Sequence, residues 1–158
     1  MNRRSHGFTL VEVLVALVLL SIGLFGAGEM LLGSLRSHAE ALREMTAGRL
    51  VRDMADRIRA NPRAGAAYES REVTPLDAPC DFSSPCTTSE LAAADLAYFM
   101  DAARRLLPGT ETRATVQFEP AIGPAAADRF AITLSWRAPR DDETRVVALS
   151  LLAPPVAG

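Results

Sequence analysis

A run of apolar and small residues from Phe8 to Gly28, broken by one ionisable side chain at Glu12, constrains this chain more than any other feature. About 20 such residues, each adding roughly 1.5 Å to a helix, match the thickness of a bilayer's hydrocarbon core. Arg3, Arg4 and His6 precede the run, and basic residues flanking a span tend to stay on the cytoplasmic side. The remainder of the chain is therefore expected on the far side of the membrane. A carboxylate inside hydrocarbon is costly unless it is protonated, reaches the interface or meets a cation, so Glu12 is a candidate functional residue on physical grounds alone. Ser21, Gly23, Gly26, Ala27, Gly28 and Gly33 add a small-residue region. Such side chains let membrane helices approach closely, while each glycine weakens the helix that carries it.

The helical signal does not stop at the end of the apolar run. Leu31, Leu35, Leu42, Met45, Leu50, Met54 and Ile58 recur at the three-, four- and seven-residue spacings of one amphipathic face. Arg49 with Asp53, Arg52 with Asp56, and Asp53 with Arg57 stand four apart, the spacing of helix-surface ion pairs. Asn61-Pro62 ends the pattern, because the residue before a proline is pushed out of helical geometry. The sequence thus predicts one helix from Phe8 to Ala60, greasy on all sides in its first half and amphipathic in its second.

The stretch Gly7-Phe8-Thr9-Leu10-Val11-Glu12 ends a short basic leader with glycine and opens the apolar run with phenylalanine. In this it resembles the N-terminal motif of type IV prepilins. The resemblance implies cleavage by a prepilin peptidase after Gly7, N-methylation of Phe8 as the new first residue, and retention of the hydrophobic helix. It also implies a role for Glu12 in subunit assembly, opposite the freed amino terminus of a neighbouring subunit. The segment from Arg49 to Pro62, with Asp53-Met54-Ala55-Asp56-Arg57-Ile58-Arg59-Ala60-Asn61 at its centre, is similar to that of PilV-type minor pilins, the type IV pilus modification proteins. This second resemblance implies a minor pilin that enters or primes a type IV pilus and serves pilus biogenesis, twitching motility and adhesion. The implied partners are other minor pilins, major pilin subunits, the prepilin peptidase and an inner-membrane assembly platform. The expected localisation is single-pass in a bacterial inner membrane, with a cytoplasmic N-terminus and a periplasmic head, and on the pilus after assembly. The expected division is a leader over 1–7, a membrane and polymerisation half-helix over 8–30, an amphipathic half over 31–61 and a globular head over 62–158.

The head is read from its residues. From Arg63 to Thr87 no period is sustained, and Gly65, Pro75, Pro79 and Pro85 suggest a long surface loop. Cys80 and Cys86 are the only cysteines; outside the cytoplasm a disulfide is the first expectation, whereas the count alone also fits two thiols. Thr87-x-x-Glu90 has the spacing of a capping box. It opens a helix to about Leu106, ended by Pro108-Gly109, with Leu91, Tyr98, Phe99, Ala102 and Leu106 as its expected buried face. Three strands come next: Thr115 to Glu119, a run in which Phe130, Ile132, Leu134 and Trp136 alternate with smaller residues, and Arg145 to Leu152. Asp141-Asp142-Glu143 suits the connection between the last two. The fold class is therefore α+β, a long N-terminal helix packed on a small antiparallel sheet with one additional short helix, which is also the architecture the pilin resemblance implies.

No cofactor is expected and no metal site, because both histidines, His6 and His38, precede the head and structural zinc sites need four ligands. Nor does the sequence hold a nucleophile elbow, a phosphate loop or a histidine base in the head, so no enzymatic activity is expected. All 17 basic residues are arginine, against 19 acidic ones. That balance supplies no concentrated positive surface for nucleic acid. Two other functions share the same N-terminal logic: a minor pseudopilin of a type II secretion system, and a periplasmic binding module tethered to the membrane.

Overall fold

The computed structural model describes residues 9–70, 80, 85–107, 111–122, 127–137 and 143–153. Its elements, in chain order, are helix α1 (Leu10–Ala60), a short 3-10 helix (Pro62–Tyr68), helix α2 (Thr88–Leu106) and strands β1 (Arg113–Glu119), β2 (Asp128–Arg137) and β3 (Thr144–Ala153). The chain divides into two compact units, Met1–Ala41 and Leu42–Gly158. The Gly7–Phe8 junction, Pro75, Pro79, Pro108-Gly109 and Asp141-Asp142 lie outside the described residues.

In the first unit, α1 exposes its apolar side chains, Leu24 to 65% and Phe25 to 77%. It is long and apolar enough to cross a membrane, where exposure to lipid replaces exposure to water. The Ser21 hydroxyl donates to the Leu17 carbonyl at 2.8 Å, which satisfies it inside the helix without a partner chain.

The second unit is built on the sheet β1-β2-β3, antiparallel throughout. Phe130, Ile132, Leu134 and Trp136 of β2 all point into the core, none more than 2% exposed. Their strict alternation puts them on one face, and burying each contributes about 1.5–3 kcal/mol. Ala47, Leu50, Val51, Met54, Ala55 and Ile58 of α1 join the same hydrophobic cluster, as do Phe99 and Met100 of α2 and Tyr68. The helix face predicted from Leu50, Met54 and Ile58 is buried, whereas Leu42 and Met45, assigned to the same face, stay exposed at the start of this unit. Glu44 of α1 pairs with Arg145 of β3 at 3.7 Å.

Three further expectations from the sequence are corrected. Residues 62–68 form a 3-10 helix rather than open loop, and its last residue, Tyr68, is fully buried. The helix pairs are Asp53–Arg57 at 2.9 Å and Asp56–Arg59 at 2.7 Å, so Asp56 takes the residue three along instead of Arg52. The buried face of α2 is Ala92, Asp95, Leu96, Phe99, Met100 and Ala103, while Leu91, Tyr98 and Leu106 are 42–54% exposed. Ala92 and Ala103 allow α2 to lie close against its neighbours beside Leu96, Phe99 and Met100, and Leu91, Tyr98 and Leu106 are left at its margin. The capping box itself forms: Thr87 Oγ1 accepts from the Glu90 amide at 3.2 Å and Glu90 Oε2 accepts from the Thr87 amide at 2.8 Å.

Candidate functional site

Glu12 stands in the first turn of α1. Its amide donates to the Thr9 carbonyl at 3.1 Å and to Thr9 Oγ1 at 3.3 Å, so Thr9 helps satisfy the open N-terminal end of the helix. Glu12 shares one side of the helix with Val13, Ala16, Leu17 and Leu20, an otherwise apolar strip. No cation pairs with its carboxylate among the described residues. A charge so placed in hydrocarbon calls for a partner from outside this part of the chain. Phe8 and Gly7, the other residues singled out at this end, lie outside the described residues.

A second polar cluster, not anticipated as a unit from the sequence, joins α1, the 3-10 helix and α2. Asp95, only 6% exposed, accepts from Arg57 Nη1 at 2.9 Å and from the Tyr68 hydroxyl at 2.7 Å. Arg57 also donates through Nε to Asp53 at 2.9 Å, and its guanidinium lies 4.3 Å from the centre of the Tyr98 ring. Asn61, likewise 6% exposed, donates to the Thr88 carbonyl at 2.8 Å and makes a longer contact with the Tyr68 hydroxyl at 3.4 Å. Burial, followed by the hydrogen bond to Asp95, pushes the Tyr68 phenol well above its ordinary range. The phenol therefore stays protonated and acts as a donor. Such a network fixes geometry, because each buried polar atom finds its partner only in one arrangement. Arg57 and Asn61 belong to the segment that carries the PilV-type resemblance; Tyr68 and Asp95 carry no sequence signal beyond an acid in a helix and an aromatic after a glycine.

Cys80 and Cys86 are joined as a disulfide, with Cα atoms 5.8 Å apart, immediately before the cap of α2. Among the described residues no group of histidine, cysteine and acidic side chains is arranged to hold a metal ion.

A long N-terminal helix, a short helix and a three-stranded antiparallel sheet define an α+β fold of the pilin type. Residues 30–97 match the family model described as Tt1218-like, type IV pilin Tt1218, and residues 2–28 match the prokaryotic N-terminal methylation motif. No curated protein and no solved structure matches the chain. Over these stretches the chain is similar to a family of type IV pilins, which are structural subunits, and to the methylation motif of prepilins.

Proposed function

We propose that this chain is a minor pilin, of PilV type, that enters or primes a type IV pilus after a prepilin peptidase cuts between Gly7 and Phe8. Phe8 then carries the methylated amino terminus. Before assembly the subunit sits in the bacterial inner membrane with its head in the periplasm, and its partners are other minor pilins, the major pilin and the assembly platform. The Cys80–Cys86 link staples the chain ahead of α2.

The observation that carries this reading is the Glu12 carboxylate, set in an apolar helix side with no cation beside it among the described residues. The cation is the freed amino group of a neighbouring subunit, and the pair sets the axial register of the incoming helix. In a low-dielectric medium the attraction is strong enough to select one register over its neighbours. A charge-assisted hydrogen bond is worth about 1.5–3 kcal/mol, a factor of roughly ten or more in incorporation. Glu12→Ala should leave membrane insertion intact and deplete the protein from sheared pili to that extent. Incorporation at the wild-type level would reduce the helix to a membrane tether and remove the proposed role.

A further inference from the structure

We infer that His38 makes entry into the pilus depend on pH: it sits on a seam of α1 that the helix of a neighbouring pilin covers, and the seam closes only over the neutral imidazole. This rests on the assembly role proposed above and adds its regulation. Leu31, Leu35, Leu42 and Met45 are 57–62% exposed. With His38, also exposed, they follow one another along α1 at steps of four, three, four and three, the alternation of a seam between two helices. Ser34, Ala39, Ala41 and Thr46 flank it and are small, which lets a second helix come close. Arg36, Glu40, Arg43 and Glu44 fall on the opposite side at 3.6 residues per turn, and there Glu44 meets Arg145 of β3 at 3.7 Å. Beyond Met45 the seam side carries Arg49, Arg52 and Asp56, all exposed, so its apolar part ends there.

Lipid does not account for this stripe. His38 stands 26 residues beyond Glu12, about 39 Å along a helix at 1.5 Å per residue, whereas the hydrocarbon layer is about 30 Å thick. Nor does the head cover it: the described core begins at Ala47, and Leu42 and Met45 stay exposed. The occupant that fits is the long helix of a neighbouring pilin. A neighbour whose amino group meets Glu12 is anchored in the same membrane and runs parallel to α1, about one turn further out. Its helix therefore passes His38 with residues that stand just outside the bilayer.

His38 is the one titratable group on the seam side between Leu31 and Met45. Its neighbours there within one turn are Ser34, Leu35, Ala41 and Leu42, none of which balances a positive charge. The nearest charged groups of α1, Arg36 and Glu40, project from the opposite side, as does the contact with Arg145 of β3. A neutral imidazole enters an apolar contact at modest cost, whereas an imidazolium without a carboxylate loses its hydration uncompensated. Association through the seam is therefore present at neutral pH and lost as pH falls through the range in which imidazoles take up a proton.

The test uses cells that carry the pilus. They are stripped by shearing and regrow pili in medium at pH 7.5 or 5.5, which reaches the periplasm through porin channels. The chain in the sheared fraction is then measured relative to the major pilin. The wild-type ratio should fall by about tenfold at pH 5.5, because imidazoles ordinarily pass from about nine-tenths neutral to about nine-tenths charged between these values. His38→Leu should hold the high ratio at both pH values and His38→Lys the low one, with membrane insertion and leader cleavage unchanged in each. A wild-type ratio equal at the two pH values, a fall that His38→Leu does not remove, or His38→Lys incorporated at the wild-type pH 7.5 level overturns the role of His38. Absence of the wild-type chain from pili even at pH 7.5 overturns the assembly reading and this inference with it, so the two failures are told apart.

Discussion

Asp95 is a carboxylate on the inward face of α2, beside Leu96, Phe99 and Met100. Its burial is tolerated because Arg57 and Tyr68 each donate to one of its oxygens; left alone, a buried charge of this kind would cost far more than a hydrogen bond returns. Tyr68→Phe keeps the ring in the core, edge-on to Phe130 at 6.4 Å between centroids, and removes only the donor. The expected loss is about 1–3 kcal/mol in chemical denaturation, the cost of leaving one buried acceptor short of a partner. The same residue sets a pH dependence. Its phenol is held above the ordinary value of about 10 by burial and then by Asp95, so the folded state binds this proton more tightly than the unfolded chain. That contribution is complete below pH of about 10 and is lost as pH rises toward the folded-state value. Wild type should therefore lose stability more steeply than Tyr68→Phe above that pH; parallel curves in alkaline denaturation would contradict the role of the hydroxyl.

The 3-10 helix places Tyr68 by an abrupt change of direction at Gly65, where φ is +46° and ψ −115°. A side chain is disfavoured there by its own backbone, although the site is not crowded: an added Cβ would come no closer than 4.0 Å to Phe118. Gly65→Ala should cost about 1–2 kcal/mol in thermal or denaturant melts, and an unchanged midpoint would mean the turn relaxes freely. This element is not legible in the sequence, because prolines and glycines announce a break in regular structure without stating which short structure fills it. The β2 alternation is legible, since one buried face and one open face impose period two on the residues from Phe130 to Trp136. The face of α2 misleads for an identifiable reason. Leu91, Tyr98 and Leu106 carry more apolar surface than Ala92 and Ala103, but an alanine-lined contact permits closer packing, and an aspartate such as Asp95 points outward unless distant partners draw it in. Of the candidate site, Glu12 stands out from composition alone, while the Asp95–Tyr68 contact joins residues 27 apart and has no local signature.

All described core residues belong to the unit Leu42–Gly158, beginning at Ala47. The unit Met1–Ala41 contributes exposed apolar helix suited to lipid or to other subunits, and no part of the described core. The two therefore obey different solvents: one is stable because it is surrounded by hydrocarbon, the other because it excludes water from its own interior. A chain beginning at Leu42 keeps every buried apolar residue, the Asp95 network and the Glu44–Arg145 pair. It should remain in solution without detergent and unfold in one cooperative step. Trp136, the only tryptophan, is 1% exposed and reports the state of the core directly. Its emission should be blue-shifted in the truncated chain, as in the full one, and move to the red across a single transition that coincides with loss of far-ultraviolet ellipticity. Red-shifted emission before denaturation, or two transitions that do not coincide, would mean that the head needs residues 1–41 to close its core.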